Sequence, residues 1–388
     1  MIDGRYNLKF IMAKILKMKQ KTILFVFGTR PEVIKLAPLI LYLRKYDRYN
    51  AIVCNTEQQK EMSNQTLTFF DIKSDINLDI MTADQQLSNL QSNLLNKLSN
   101  IVMKNTYDAI IVQGDTMSAF CGALTGFYSK IPVFHIEAGL RSYNLFEPFP
   151  EEALRQMISR IASLHFAPTI QAKNALLNEC IREDAIVVSG NTVIDALYCL
   201  SETTLSKSIE CLKKNGVKIN DKLVLITVHR RENHGDRLNT ILEAISVIAG
   251  KFPDHQFVLP VHPNPNVKHA VQSALGSFHN IKLLQPLDYP DLVVIMKHAK
   301  LILTDSGGIQ EEAPTFGVPI LVMRYETERK EGIEVGFAKL VGADYKKIVD
   351  ETSSVLEKNK FATKKNIANP YGDGNACRTI EKAIKKLL

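Results

Sequence analysis

The residues with the clearest chemical potential form a glycine-rich turn at 305–308. A short apolar run at 301–304, typical of a buried strand, meets the sequence DSGG and then a helix-favouring segment. Such a turn gathers unpaired backbone N–H groups at a helix N-terminus, whose dipole favours an anion such as a diphosphate. Glu312, one turn further on, is placed to accept hydrogen bonds from a ribose diol. The alternative is a turn that holds only water or its own cap. The candidate anion-binding residues are Ser306, Gly307 and Gly308.

Two acidic residues follow other apolar runs of the same kind. Asp115 comes after the run at 107–112, and Glu137 comes after the run at 132–136. The carboxyl ends of parallel strands share one edge of a sheet, which is where α/β proteins place their ligands. The alternative for each is a helix cap, and Asp115 by itself favours that interpretation.

Basic residues and a third acid complete the set of candidates. Arg30 and Lys35 lie close to the N-terminus of the first helix, so we expect them at the same edge of the sheet. The alternative is that Arg30 caps a loop and that Lys35 is a solvated surface residue. Glu151 begins a helix after the proline-rich segment 146–150. Its i,i+4 spacing to Arg155 and its place in the first turn are fully explained by helix stability as well.

The elements that position these residues fall into two series of alternating strands and helices. This alternation predicts an α/β protein with two doubly wound Rossmann-like domains that face each other across a cleft. The segment 369–374 and the helix after it are expected to return to the first domain. The predicted division is an N-terminal extension at 1–20, a first domain at 21–189 plus 372–388, and a second domain at 190–371.

Composition excludes several classes of protein. The 388 residues are 45% hydrophobic with a formal net charge of +7, and no apolar run approaches the roughly 20 residues that cross a bilayer. Lysines scattered without aromatic neighbours argue against a nucleic-acid surface. The cysteines are far apart and form no C-x-x-C pair, which predicts reduced thiols in a cytosolic protein and no zinc site. Basic residues around Met12 and Met18, without a cleavage site, predict an alternative start or a loose extension.

Taken together, eight segments resemble those of the non-hydrolysing UDP-N-acetylglucosamine 2-epimerases. They occur in the family's order over roughly residues 20–388. Any one of them is a weak signal, but the ordered set is highly specific. The segments are FGTRPE (27–32), QGDT (113–116), HIEAGLR (135–141), PFPEE (148–152), GNTVID (190–195), VHRREN (228–233), DSGGIQEEAP (305–314) and NPYGDG (369–374).

The resemblance implies a GT-B architecture, a cytoplasmic homodimer, and interconversion of UDP-GlcNAc and UDP-ManNAc by loss and return of UDP through a 2-acetamidoglucal. It implies no nicotinamide, no catalytic metal and no membrane association, and a product used for a capsule or another surface polysaccharide. Asp115, Glu137 and Glu151 match the family's catalytic carboxylates, and His229 matches a histidine near the diphosphate. The positions that match the UDP-binding residues are Arg30, Lys35, Ser306, Gly307, Gly308, Glu312 and Arg329.

Three other readings stay open at this level. A hydrolysing epimerase would release ManNAc and UDP, and a GT-B glycosyltransferase would release UDP only with an acceptor present. An inactive UDP-sugar-binding protein is the alternative outside enzymes, and the intact carboxylates argue against it.

A regulatory UDP-GlcNAc site known in many bacterial members is altered here. The segment that corresponds to Gln-His-Arg/Lys-x-Met reads QQKEM at 58–62, and Asp84 lies where an arginine is expected. An acid in place of a cation disfavours a second diphosphate. His262 still matches another residue of that site. The candidate regulatory residues are Gln58, Gln59, Glu61 and His262.

We therefore predict that activation by the substrate is altered or absent. Initial rates measured against UDP-GlcNAc concentration should follow a hyperbola, because the second site lacks its cation. A sigmoidal curve that depends on added UDP-GlcNAc would contradict this prediction.

Overall fold

The structure is a computed structural model that describes residues 20–82, 85–262, 264–358 and 368–388. Most of the predicted N-terminal extension and the regulatory position Asp84 lie outside the described residues.

The first sheet contains seven parallel strands in the order β3-β2-β1-β4-β5-β6-β7. Its central strands are continuous apolar runs because helices cover both faces, as parallel sheets require. The strands are β1 (Lys21–Phe27), β2 (Tyr49–Asn55), β3 (Ile76–Asn77), β4 (Ala109–Gln113), β5 (Val133–Ile136), β6 (Leu164–Ala167) and β7 (Ile186–Val188). The helices along this part of the chain are α1 (Arg30–Leu43), α2 (Lys60–Phe69), α3 (Leu87–Lys104), α4 (Met117–Tyr128), α5 (Glu151–Ile161), α6 (Ile170–Asn178), α7 (Thr192–Tyr198) and α8 (Glu202–Lys214).

The second sheet contains six parallel strands in the order β10-β9-β8-β11-β12-β13. The strands are β8 (Leu223–Thr227), β9 (Gln256–Pro260), β10 (Ile281–Leu284), β11 (Leu301–Thr304), β12 (Ile320–Val322) and β13 (Ala338–Leu340). The helices are α9 (Asp236–Lys251), α10 (Pro265–Leu275), α11 (Tyr289–His298), α12 (Gly307–Glu312), α13 (Lys330–Glu334), α14 (Tyr345–Lys358) and α15 (Ala376–Leu387). Short 3₁₀ turns occupy Glu183–Ala185, Arg231–Asn233 and Ala313–Phe316.

Both sheets reverse their strand order next to their first strand, and the candidate residues follow the strands at these two switch points. In the first sheet the switch lies between β1 and β4, which lead to Arg30 and Asp115. In the second it lies between β8 and β11, which lead to His229 and Ser306. Open α/β sheets bind ligands in the crevice at such a point. The predicted fold class, two doubly wound α/β domains, is confirmed.

The C-terminal helix α15 returns to the first sheet. The Asp195 carboxylate accepts hydrogen bonds from the N–H groups of Ala376 (3.2 Å) and Cys377 (2.9 Å). The Tyr49 hydroxyl donates to Glu381 at 3.0 Å. Because the strands of the first sheet all precede residue 189 and α15 contacts β2, we propose the domain division given above for the described residues.

The structure departs from the sequence-based elements in two respects. The helical pattern of the sequence begins at Val33, but α1 begins at Arg30, because the Glu32 carboxylate accepts hydrogen bonds from the N–H groups of Gly28 (3.0 Å) and Thr29 (2.9 Å) and so anchors the first turn. The leucines at 87, 90, 94 and 98 have the spacing of one apolar helical face, and in α3 the last three are buried, whereas Leu87 is exposed.

Candidate functional site between the two domains

Glu137 occupies a strained position directly after β5. Its φ of 63° lies in the left-handed region, which is unfavourable for a residue with a Cβ and is concentrated at functional sites. The side chain is 6% exposed. Gln113, the last residue of β4, donates a hydrogen bond to one carboxylate oxygen, and Asn191 donates to the other at 3.3 Å. These contacts fix the carboxylate at the carboxyl edge of the first sheet, as the sequence predicts.

The Glu137 carboxylate is part of a closed ring of four charged side chains, which we call the cross-domain ring: Lys35, Glu137, Glu311 and Arg329. The Lys35 ammonium contacts Glu137 and lies 2.9 Å from Glu311. Arg329 donates its Nε–H to Glu311 at 2.7 Å and lies 3.7 Å from Glu137. Lys35 and Glu137 belong to the first domain, while Glu311 on α12 and Arg329 before α13 belong to the second. All four side chains are at most 8% exposed.

Burial sets the protonation behaviour of the ring. Removal from water raises the pKa of Glu137 to about 7, an effect that Glu311 reinforces and that Lys35 and Arg329 oppose. Burial also disfavours the charge on Glu311, but Arg329 and Lys35 outweigh it and lower the pKa of that carboxyl. Burial acts against Lys35 too, yet Glu137 and Glu311 raise its pKa. Glu137 is therefore a carboxyl group that exchanges a proton near neutral pH, as general acid–base catalysis requires.

Asp115 and Glu151 lie together beside a buried arginine. Asp115 follows Gly114, whose φ of 69° turns the chain at the end of β4. Arg155 of α5 pairs with Asp115 and lies 3.3 Å from Glu152. Glu151 begins α5, where burial and the Asp115 carboxylate raise its pKa. The i,i+4 pattern noted in the sequence therefore gives way to a longer-range pairing of Arg155 with Asp115.

Asp305 of the glycine-rich turn faces the protein interior. It is fully buried and accepts hydrogen bonds from the backbone N–H groups of His229 (3.0 Å) and Arg230 (2.9 Å) and from the Asn233 side chain (3.0 Å). Burial opposes its charge, but the His229 ring and these N–H donors lower its pKa to about 2. Asp305 thus braces the loop after β8 and fixes His229, whose Nδ1 lies 3.0 Å away and whose side chain stays 40% exposed.

The two glycines of the turn differ in what a side chain at their position would contact. A Cβ on Gly307 would lie 2.5 Å from the Arg329 guanidinium carbon, so only glycine lets that side chain cross the helix start. A Cβ on Gly308 would meet only Glu312, at 3.4 Å. Ser306 makes no side-chain cap to α12, and its own N–H donates to Thr304. The first turn of α12 is therefore left without a side-chain cap, as an anion-binding turn requires.

Glu312 and Arg30 approach each other from the two domains. Glu312 is buried, which raises the pKa of its carboxyl to about 8. Burial lowers the pKa of Arg30, and the nearby Asp288 and Glu312 oppose that effect. Glu312 and the Tyr289 hydroxyl are buried next to each other, and a hydrogen bond from Tyr289 opposes the rise in the pKa of Glu312. This pair lies beside Arg30 of the first domain.

The predicted regulatory residues have different neighbours. Gln58 accepts a hydrogen bond from Ser118 at 2.8 Å, and Gln59 accepts one from the Arg30 N–H at 3.1 Å. Glu61 lies in the first turn of α2. His262 stacks on His229 with 6.3 Å between ring centroids, and so lies next to the candidate reaction site.

Several residues of the site were not found from the sequence. Glu311 is adjacent to Glu312 in the chain, and nothing in the pattern showed that it contacts Lys35 of the first domain. Gln113 and Asn191 stand inside segments that the sequence singled out, but neither carries a charge that attracts notice. Among the described residues, no group of three or more histidines, cysteines or acids could hold a metal ion, and no helix is long and apolar enough to cross a membrane.

Comparisons with known proteins give a consistent result. The profile of a family described as UDP-N-acetylglucosamine 2-epimerase matches residues 42–385. A UDP-N-acetylglucosamine 2-epimerase of Neisseria meningitidis is 45% identical over 369 residues, which cover 94% of this chain and 99% of that protein.

Solved structures agree with this match. The UDP-GlcNAc 2-epimerase from Neisseria meningitidis bound to UDP-GlcNAc has a TM-score of 0.89 and 44% identity, and the match covers 94% of this chain and 100% of that one. The enzyme from Methanocaldococcus jannaschii in complex with UDP-GlcNAc and UDP has a TM-score of 0.81 and 34% identity, over 95% of this chain and 100% of that one.

Two doubly wound parallel sheets, with charged residues of both meeting between them, make this a protein of GT-B architecture. Its sequence and structure place it more narrowly. The chain belongs to the UDP-N-acetylglucosamine 2-epimerase family.

The raised pKa of Glu312 predicts how stability depends on pH. A carboxyl whose folded pKa is about 8 stabilises the fold fully below its unfolded value near 4.5, and that stability is lost as pH rises through 8. In Glu312→Gln without ligand, unfolding free energy should fall less steeply between pH 5 and 8, by on the order of 1 kcal/mol per pH unit. Glu326→Gln, at an exposed acid, is the control. Equal slopes in the wild-type protein and Glu312→Gln would contradict the prediction.

Proposed function

We propose that the protein is a non-hydrolysing UDP-N-acetylglucosamine 2-epimerase, which interconverts UDP-GlcNAc and UDP-ManNAc. Family membership and the complexes of its relatives with UDP-GlcNAc support this proposal. The observation that carries it is the position of Glu137, a carboxyl with a pKa near neutrality held between two cations where the domains meet. Such a group can both take and return a proton at the pH of the cell.

The chemistry demands that the C1–O bond breaks before the C2 proton leaves. The C2–H of a GlcNAc unit has no adjacent carbonyl, so direct removal of its proton is too slow. Diphosphate is a good leaving group when cations and N–H donors stabilise its growing charge. In the proposed step the C1–O electron pair leaves with UDP, and the sugar becomes oxocarbenium-like. This change acidifies C2–H, and loss of that proton gives 2-acetamidoglucal.

The three carboxylates supply the proton transfers. Asp115 and Glu151 form one acidic group next to Arg155, and Glu137 forms a second one within the cross-domain ring. Two separate acidic groups suit a reaction in which a proton leaves one face of C2 and returns to the other. Return of UDP to C1 then completes the epimerisation without consumption of water. The joined domains exclude water that would otherwise capture the intermediates.

The second domain holds the leaving group in this proposal. The uncapped turn from Ser306 to Gly308 and the nearby His229 face the diphosphate, and the buried Glu312 carboxyl accepts from the ribose. Tyr289, a residue that the sequence did not single out, hydrogen-bonds to Glu312 and positions it. Arg30, Lys35 and Arg329 complete the set of donors from both domains.

We further propose, from the family resemblance alone, that the enzyme is a cytoplasmic homodimer that needs neither nicotinamide nor metal. Its product would then supply the synthesis of a capsule or another surface polysaccharide.

The reaction is tested by incubation with UDP-GlcNAc in D₂O and proton NMR of the products. We expect deuterium at C2 and the appearance of UDP-ManNAc, because the proton that returns comes from solvent-exchanged carboxyl groups. Free ManNAc with UDP would instead identify a hydrolysing epimerase. Failure to incorporate deuterium would leave a UDP-sugar-binding protein and contradict the proposal.

The two domains should also divide binding and chemistry between them. Glu312→Ala should weaken UDP binding, measured by calorimetry, by about tenfold, as expected for the loss of a hydrogen bond worth about 1.4 kcal/mol. Asp115→Asn should leave UDP affinity within about twofold but lower kcat by about a hundredfold or more, in the range of a lost general acid or base. The reverse pattern would contradict this division.

A further inference from the structure

Glu311 has no role in the reaction described above, yet it is among the most buried acids of the site. Its side chain is 1% exposed, and each of its oxygens faces one cation: Arg329 at 2.7 Å and Lys35 at 2.9 Å. A buried carboxylate of this kind is costly unless it is fully paired. Both of its partners also contact Glu137. Two acids from different domains therefore share the same two cations.

We propose that Glu311 is a positioning residue for Glu137. Because it shares Lys35 and Arg329 with Glu137, it aligns Glu137 across the domain boundary. It also keeps Glu137 exchangeable between its protonated and ionised forms. The proposal rests on the epimerase function proposed above.

The charges around Glu137 favour this role. The groups that face it are Lys35 from α1, Glu311 from α12 and Arg329 from the segment before α13, together with the neutral Gln113 and Asn191. Other acids around the ring are Glu312, Glu328 and Glu331. With two cations and no second acid, Glu137 would be held as a tightly paired carboxylate and would not readily take up a proton. Glu311 neutralises part of that positive charge, in agreement with its contribution to the raised pKa of Glu137.

The alignment has a steric component as well. Arg329 lies against Gly307, whose missing side chain leaves room for the guanidinium, and also pairs with Glu328. Glu311 fixes the Nε side of this guanidinium, so that NH2 is directed towards Glu137. Glu311 thus sets the orientation in which Arg329 reaches Glu137 of the first domain.

The test is the pH profile of kcat/KM for epimerisation by Glu311→Gln. Removal of the negative charge leaves both cations to act on Glu137 alone, so the limb that reports Glu137 should move to lower pH by about one unit or more. The direction is the same whether Glu137 acts as acid or as base. Glu311→Asp keeps the charge and should retain the wild-type limb, but with kcat at least about tenfold lower because the shorter side chain cannot reach both cations.

Glu381→Gln is the matched control, since Glu381 is also a buried acid but accepts its hydrogen bond from Tyr49 and belongs to no contact of the ring. It should leave the limb unchanged. An unmoved limb in a folded Glu311→Gln enzyme, while the wild-type enzyme epimerises, would overturn the proposal. If Glu311→Gln does not fold, the Asp variant decides: lowered kcat supports the proposal and wild-type kcat overturns it.

A second readout separates this proposal from the proposed function. Unfolding free energy of the ligand-free protein, measured from pH 5 to 8, contains the loss of stability that accompanies ionisation of Glu137. The loss per pH unit near pH 7 should be smaller in Glu311→Gln than in the wild-type protein, because Glu137 then ionises at lower pH, even if the wild-type protein proves inactive towards UDP-GlcNAc. The same loss per pH unit in both proteins would count against the role of Glu311.

Discussion

The cross-domain ring is the interaction on which the rest of the site depends. Four buried charges at one place would each be costly to remove from water, and only their mutual pairing offsets that cost. Each domain supplies one cation and one anion that pair with each other, and the contacts of Lys35 with Glu311 and of Arg329 with Glu137 join the two pairs. The relative position of the two sheets is therefore coupled to the electrostatic balance of the candidate site.

This coupling explains how the proposed reaction is confined to the closed cleft. Glu137 obtains its place from a strained backbone and a neighbouring strand, but Lys35 of its own domain and Glu311 and Arg329 of the other domain together set its charge environment. Lys35 and Arg329, which match UDP-binding positions of the family, are already paired with carboxylates in this structure. A diphosphate that enters would compete for the same cations. Binding of the leaving group and the protonation of Glu137 would then be linked, which suits a reaction in which the two change together.

The sequence predicted the architecture well, because long apolar runs alternate with helical segments at clear intervals. Strand β11 was predicted with its observed bounds, since an apolar run at 301–304 ends at the DSGG turn. The strands β3, β6 and β7 were not predicted; they contain two, four and three residues, and β6 includes a buried histidine. Such short strands form because they pair with neighbouring strands, and not because of the hydrophobic pattern of their own residues.

The site was predicted less completely than the fold. The glycine-rich turn and the acids at strand ends are local patterns, and the structure places Asp115 beside Glu151 and Glu137 beside Lys35. The partners across the cleft depend on how two separate chain segments pack. Hence Glu311 was visible only as one of two adjacent acids after the glycine-rich turn, and Arg155 was equally compatible with a local helix contact. Asp305 illustrates the converse: its motif was visible, but its inward orientation towards His229 was not.

The most direct test of the ring is a double-mutant cycle on stability with Lys35→Met and Glu311→Gln. Each single variant leaves a buried charge without its partner, whereas the double variant removes both charges of the pair. We predict that the double variant loses less unfolding free energy than the sum of the single losses, by about 1 kcal/mol or more. Losses that add within about 0.3 kcal/mol would show that the two charges act independently, and would contradict the account.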